Sequence, residues 1–142
     1  MFLGEYEYKV DNKGRLPLPP KFRQELMGEL VLSKGLEKCI VVYPIDEWRK
    51  IADTLSAKAL PSSKYRTMNR AMFGSAFNLT LDGQGRIALP PTLRSRVEIG
   101  NTAFVVGANN CVEIWNPALW KTEKATAEEQ LWQNIESLEE ER

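Results

Sequence analysis

The stretch DNKGRLPLPPKFR, Asp11 to Arg23, returns seventy-one residues later as DGQGRIALPPTLR, Asp82 to Arg94. Seven of the thirteen positions are identical, and others change conservatively, as Leu16 to Ile87 and Phe22 to Leu93 do. Self-similarity at this level marks a duplicated structural unit and precedes any local reading.

Each copy opens on an alternating segment. In GEYEYKV, Tyr6, Tyr8 and Val10 alternate with charged residues; in FNLTLD, Phe77, Leu79 and Leu81 share a face. Both patterns predict half-buried strands. DNKG and DGQG are then turns, in which Asp bonds the backbone ahead of it and Gly supplies a positive φ. RLPLP and RIALP return as second strands, with Pro17 marking an edge or an irregular strand. Pro20 and Pro91 fit the first turn of a helix, where a missing N–H costs nothing. Two-turn helices are expected next, with Phe22/Leu26 and Leu93/Val97 inward at i, i+4 spacing. ELVLSKGLEKCIVVYP and TAFVVGANNCVEIWNP read as hairpins turning near Gly35 and Gly107.

The organisation expected is a first repeat at 5–47, a helical linker at 48–75, a second repeat at 76–119 and an acidic helical tail at 120–142. In the linker, Trp48, Ile51 and Leu55 share one helical face, with Pro61 as the stop. Tyr65, Met68 and Met72 share a second face, with Arg66 and Arg70 on the polar side. In the tail, Leu131, Ile135 and Leu138 form a narrow stripe, too short for a coiled coil and suited to a solvated helix.

A chain of 142 residues makes one domain or two very small ones. Half of it would bury only a thin core, so the repeats are expected to share one core or assemble further. No run approaches the ~20 apolar residues of a membrane span, and the first ten residues do not read as a secretory signal. Cys39 and Cys111 sit at equivalent places in apolar runs and read as buried thiols. Two cysteines without histidine make a poor zinc site. The net charge is zero, yet residues 1–96 carry 16 basic and 10 acidic groups and residues 97–142 carry 3 and 9. A basic body with an acidic end suggests a polyanion partner for the body.

Catalysis is not expected. There is no histidine, no phosphate loop and no Ser or Cys with a neighbouring base, so no catalytic residue, cofactor, metal or small-molecule substrate is assigned. The repeated turn is the candidate site. It puts Lys13 or Gln84 at its tip and Arg15 or Arg86 at the start of the outgoing strand. Arg matches guanine and Gln matches adenine through paired hydrogen bonds, whereas Lys serves phosphates as a point charge. Asp11, Gly14, Asp82 and Gly85 would shape the turns. The same residues also suit a purely structural role, with Asp11–Arg15 and Asp82–Arg86 stapling each turn at a gain of about 0–1 kcal/mol.

The paired Asp-x-x-x-Arg turns, each followed by Leu-Pro-Pro and an arginine at Arg23 or Arg94, resemble the MraZ family from Met1 to about Trp120. That resemblance implies a bacterial DNA-binding transcriptional regulator, related to the AbrB/SpoVT transition-state regulators and MazE-type antitoxins. It implies an α+β fold of two tandem swapped-hairpin repeats, forming a pseudo-two-fold double-split β-barrel with flanking helices. It further implies ring-like self-assembly, a cytoplasmic protein on the nucleoid, and binding to short G-rich direct repeats before the division and cell-wall gene cluster. Lys13, Arg15, Gln84 and Arg86 would then face DNA. Gln84 in place of Lys13, and Ala88 in place of Pro17, imply unequal turns. The rival reading is a non-catalytic ring-forming protein without specific DNA readout. In either case the Trp48 helix, the Tyr65 helix and the face around Trp120 are candidate contacts between chains.

Overall fold

The computed structural model describes residues 1–57, 59 and 61–140. The first repeat supplies β1 (Glu5–Lys9), β2 (Arg15–Pro17), α1 (Pro20–Arg23), β3 (Glu29–Lys34) and β4 (Ile40–Pro44). Two helices follow, α2 (Ile45–Ser56) and α3 (Ser62–Met72). The second repeat supplies β5 (Phe77–Thr80), β6 (Arg86–Ala88), α4 (Pro91–Arg96), β7 (Thr102–Gly107) and β8 (Val112–Trp115), and α5 (Pro117–Glu140) ends the chain.

Six strands form one antiparallel sheet in the order β1-β7-β8-β4-β3-β5, and β2 pairs with β6 in a separate ribbon. Exchanging the repeats turns that order into itself read backwards. The equivalent residues Leu16 and Ile87 face each other in the ribbon, and the equivalents Val41 and Glu113 face each other between β4 and β8. A pseudo-two-fold axis therefore passes through both pairs. The fold is α+β and double-split: sheet and ribbon enclose one core, and among the described residues no strand pairing closes them into a full barrel.

The alternating segments pair as the core requires, but not with their own return strands. β1 pairs with β7 of the second repeat, and β5 pairs with β3 of the first. Each Asp-to-Arg turn keeps local bonds, with the Asp11 N–H donating to the Arg15 carbonyl and that of Asp82 to Arg86, both at 3.0 Å. Beyond this rung the two arms part, and each strand is completed by the other repeat. This is the swapped hairpin. Pro17 lies in a ribbon strand whose ladder partner is β6 alone, which suits a residue without an N–H.

The short helices are shorter than their spacing predicts. α1 has four residues and α4 six, each with proline in the first turn. After α1 one further turn bonds the Leu26 N–H to the Phe22 carbonyl, and Gly28 at φ +81° then redirects the chain. Phe22, Leu26, Leu93 and Val97 are buried as the spacing requires. α2 ends at Ser56, before the expected stop at Pro61; Lys58 and Leu60 lie outside the described residues.

The main core gathers Leu16, Leu18, Ile87 and Leu89 of the ribbon against Leu30, Leu32, Ile40, Val42, Val105 and Ile114 of the sheet. The sheet's other face carries Cys39, Val41, Val106 and Trp115, packed by Leu119 and Trp120 from the start of α5. Cys39 is buried, Cys111 half-buried, and both are free thiols. Asn116 caps α5, its Oδ1 accepting from the N–H groups of Ala118 and Leu119 at 2.8 and 3.1 Å.

Leu16 and Ile87 are fully buried where the repeats meet. Leu16→Ala or Ile87→Ala should each cost about 2–5 kcal/mol, read as a lower urea midpoint. A loss below about 1 kcal/mol would show that the ribbon is not part of the core.

Candidate nucleic-acid interface

The ribbon places the two turns side by side. β2 and β6 are only three residues long and pair antiparallel about Leu16 and Ile87, so Arg15 lies opposite Ala88 and Arg86 opposite Pro17. Gly14 and Gly85, at φ +77° and +72°, close the turns in the left-handed region that glycine enters at least cost.

Each turn is built around its aspartate. Asp11 Oδ1 accepts from the Lys13 N–H at 2.9 Å and the Arg15 N–H at 2.8 Å, and Oδ2 accepts from Arg15 Nε at 2.6 Å. Asp82 repeats the pattern with the Gln84 N–H at 2.9 Å, the Arg86 N–H at 2.9 Å and Arg86 Nε at 2.8 Å. The two units touch: Arg86 Nη1 lies 3.7 Å from Asp11 Oδ2. Asp11 is therefore shared by both arginines. These contacts hold the Asp11 carboxyl at about 2, below its ordinary 3.8, chiefly through the Arg15 N–H and then the Arg15 side chain. Asp82 is lowered for the same reason.

The structure thus brings all four candidate residues to one patch. Lys13 and Gln84 are exposed at the tips, and Arg15 and Arg86 remain 34% and 23% exposed. The aspartates bond each arginine through Nε. Among the described residues, no hydrogen bond occupies the terminal amino groups of Arg15 or Arg86. An aspartate that bonds a guanidinium through Nε fixes its orientation while its terminal amino groups can still donate to a third group; at Arg86, Nη1 already lies 3.7 Å from Asp11 Oδ2. Surface pairs of this kind add little stability, so their effect here is geometric.

Arg23 and Arg94 have a place that their position in the motif did not disclose. The Arg23 guanidinium packs over Gly85 of the opposite turn and its Nε donates to the Leu18 carbonyl at 2.9 Å. Arg94 lies over Gly14 and donates to the carbonyls of Ile99 and Gly100 at 3.1 and 2.8 Å. The Leu18 N–H donates to the Gly85 carbonyl and the Leu89 N–H to the Gly14 carbonyl, locking each turn against the other repeat. The signal in the sequence was the repeated arginine after Leu-Pro-Pro. Its partner could not be read, because the contact crosses between repeats. Segments 11–23 and 82–96 together carry seven basic and two acidic residues, so the patch is positive.

The linker residues behave differently. Trp48 packs between Tyr43, in a tilted contact, and Phe73, edge to face, with ring centroids 5.5 and 5.4 Å away. Trp120 packs on Trp115 at 5.7 Å. Arg66 and Arg70 are exposed on α3.

An internally duplicated α+β chain, with two interlocked Asp-x-x-x-Arg turns on a shared ribbon, defines a class of swapped-hairpin proteins. Comparison with known proteins places it within that class. The pattern of one family, described as "MraZ protein, putative antitoxin-like", matches residues 1–71 and again 72–139. The chain belongs to the MraZ family. A protein of Dehalococcoides mccartyi named Transcriptional regulator MraZ is 48% identical over 141 residues, 99% of each chain. Proteins of the same name from Pediococcus pentosaceus and Desulfitobacterium hafniense are 45% identical over 123 residues and 40% over 138, covering 85% and 97% of this chain and 85% and 96% of theirs. Among the described residues no helix is long and apolar enough to cross a membrane.

Because Asp11 is ionised in the folded turn down to a pH near 2, its contribution is complete above about pH 4 and is lost as the pH falls through 2. A carboxyl-carbon NMR titration should give Asp11 a midpoint near 2. A midpoint near 3.8 would show that the Arg15 N–H and side chain do not engage it in solution.

Proposed function

We propose that this chain is a sequence-specific DNA-binding transcriptional regulator that reads base edges with its joined turns. The observation that carries this reading is the shared Asp11, which bonds Arg15 through Nε and lies 3.7 Å from Arg86 Nη1, so that both arginines converge on one carboxylate. Arg15 and Arg86 would pair with guanine, Gln84 with a base edge or phosphate, and Lys13 with phosphate. Arg23 and Arg94 would support the turns and add positive charge. The name shared by the relatives agrees with this role.

One pair of turns is a small footprint, since specific protein–DNA interfaces bury about 1,000–2,500 Å² of protein surface. Several copies facing one way would lengthen it, and head-to-tail contacts supply that arrangement, closing into rings when the rotation permits. The targets would be short direct repeats in the protein's own promoter, ahead of the division and cell-wall gene cluster, read by a cytoplasmic protein on the nucleoid.

Footprinting across the upstream region identifies the site, and a gel shift then measures affinity. Arg15→Ala should weaken specific binding by about 1–3 kcal/mol, roughly 5- to 150-fold, with circular dichroism and oligomer mass unchanged. The logarithm of affinity should fall with the logarithm of salt at about −0.9 per phosphate neutralised. Affinity independent of both would favour the rival, an assembly protein without DNA readout.

Reversal of Arg66 and Arg70 to Glu, measured on DNA carrying a single repeat so that assembly does not enter, should at most weaken binding evenly across sequences, because these side chains lie on α3 and not in the turns. Loss of sequence preference with general affinity retained would place them among the readers.

A further inference from the structure

In the last sixteen residues of α5 that the structure describes, Ala127 and Glu128 line a shallow depression with Gly4, Glu5, Val106 and Gly107, and the large apolar groups beyond them stand exposed. From Ala125 to Glu140 every residue is exposed. Yet this segment carries large apolar groups: Leu131 is 49% exposed, Trp132 71%, Ile135 36% and Leu138 64%. Leu131, Ile135 and Leu138 follow a four-then-three spacing that stacks them on one helical face, with Trp132 beside them. Residues 125–140 contain five glutamates and no lysine or arginine. At 100° per residue Glu128 and Glu139 flank the stripe on one side, Glu136, Glu129 and Glu140 lie further round toward the back of the helix, and Gln130, Asn134 and Ser137 fall on the other side.

Pairing of two such stripes from different copies would bring like charges together, which is unfavourable. The occupant must therefore be basic, and the same chain provides one. α3 carries Lys64, Arg66 and Arg70 and no acidic residue. Among the described residues it is the one helix of eight or more residues with this property; α2 is mixed, and α1 and α4 are four and six residues long. Along α3 runs a shallow depression lined by Ser63, Lys64, Thr67, Met68 and Ala71. Arg66 and Arg70 stand one turn apart and exposed on the same helix. Eleven helical residues are about 16 Å long, and the stripe from Leu131 to Leu138 needs about 10 Å.

We propose that the acidic half of α5 docks on α3 of a second copy, with the Leu131/Trp132/Ile135/Leu138 stripe against the α3 depression and the glutamates toward Arg66 and Arg70. The seam rests on the self-assembling regulator proposed above and gives it a specific contact. The apolar stripe supplies the attraction and the charges select the partner. The two surfaces are different, so every chain offers one of each. The contact is head-to-tail and propagates.

Charge reversal tests the pairing by light-scattering mass at micromolar protein without DNA. Wild type should have a mass of several times 16.2 kDa. Glu128→Lys with Glu139→Lys should fall toward the single-chain mass, and so should Arg66→Glu with Arg70→Glu. Each variant keeps one wild-type and one reversed surface, so an equimolar mixture of the two should regain the large mass. Trp132→Ser, which alters no charge, should also lower the mass, and circular dichroism checks that each variant is folded. A monomeric wild type, a reversal that leaves the mass unchanged, or a mixture that fails to reassemble would overturn the seam. The masses are read without DNA, so failure of the turns to bind DNA leaves this result standing. Failure of the seam likewise leaves the Arg15→Ala test intact.

Discussion

Neither strand beside an Asp-to-Arg turn finds its ladder partner in its own repeat. β1 is completed by β7, β5 by β3, and β2 by β6. On this exchange the rest of the molecule depends. A single repeat would leave strand edges unpaired and too little apolar area to cover them, whereas the interlocked pair buries Leu16 and Ile87 without exposure. The exchange also builds the site. Asp11 can reach Arg86 only because the ribbon sets equivalent residues of the two repeats face to face. Core and candidate interface are therefore two sides of one strand pairing.

The duplicated phrase made much of this legible. Aspartate and glycine announce the turns, the prolines start the short helices, and the alternating tyrosines and leucines are half-buried strands as their spacing predicts. The resemblance, not the residue pattern, pointed to the exchange. A closed hairpin and a swapped one carry the same local turn chemistry, and the choice lies with partners about fifty to a hundred residues distant. For the same reason the arginines after Leu-Pro-Pro could be counted but not placed. The shortness of these helices has a local cause: i, i+4 apolar spacing also fits a single turn followed by bends, as the Leu26 N–H to Phe22 carbonyl turn after α1 shows. The aromatic residues of the linker were legible as a helical face but not as to what covers it. Trp48 lies between Tyr43 and Phe73 of the same chain.

Joining the repeats in one chain has let them diverge around the axis. The ribbon pair remains apolar on both sides, Leu16 against Ile87. At the other end of the axis Val41 faces Glu113, whose carboxylate accepts from Trp115 Nε1 at 3.1 Å and whose acidity is weakened by burial. The turns differ in the same spirit, Lys13 against Gln84. The extensions differ more: two helices, α2 and α3, after the first repeat, and one long capped helix after the second. A symmetric dimer of half-length chains could hold none of these differences. They let the two turns carry different side chains, and they give each chain two unlike ends.

The exchange also orders events in time. When the first repeat has left the ribosome, β3 and β4 can pair at once, but β1 waits for residues 102–107 and β2 for residues 86–88. The central contacts of the fold span some seventy residues or more of chain, and closure of such loops precedes any reward from burial. Throughout that interval the nascent chain displays unpaired strand edges, the condition under which neighbouring chains on one message add to each other's sheets. Synthesis of this protein is thus exposed to strand exchange between copies as well as within one. The short, charged arms Glu5–Lys9 and Arg15–Pro17, one of them interrupted by proline, are what such an edge requires to stay soluble until its partner arrives.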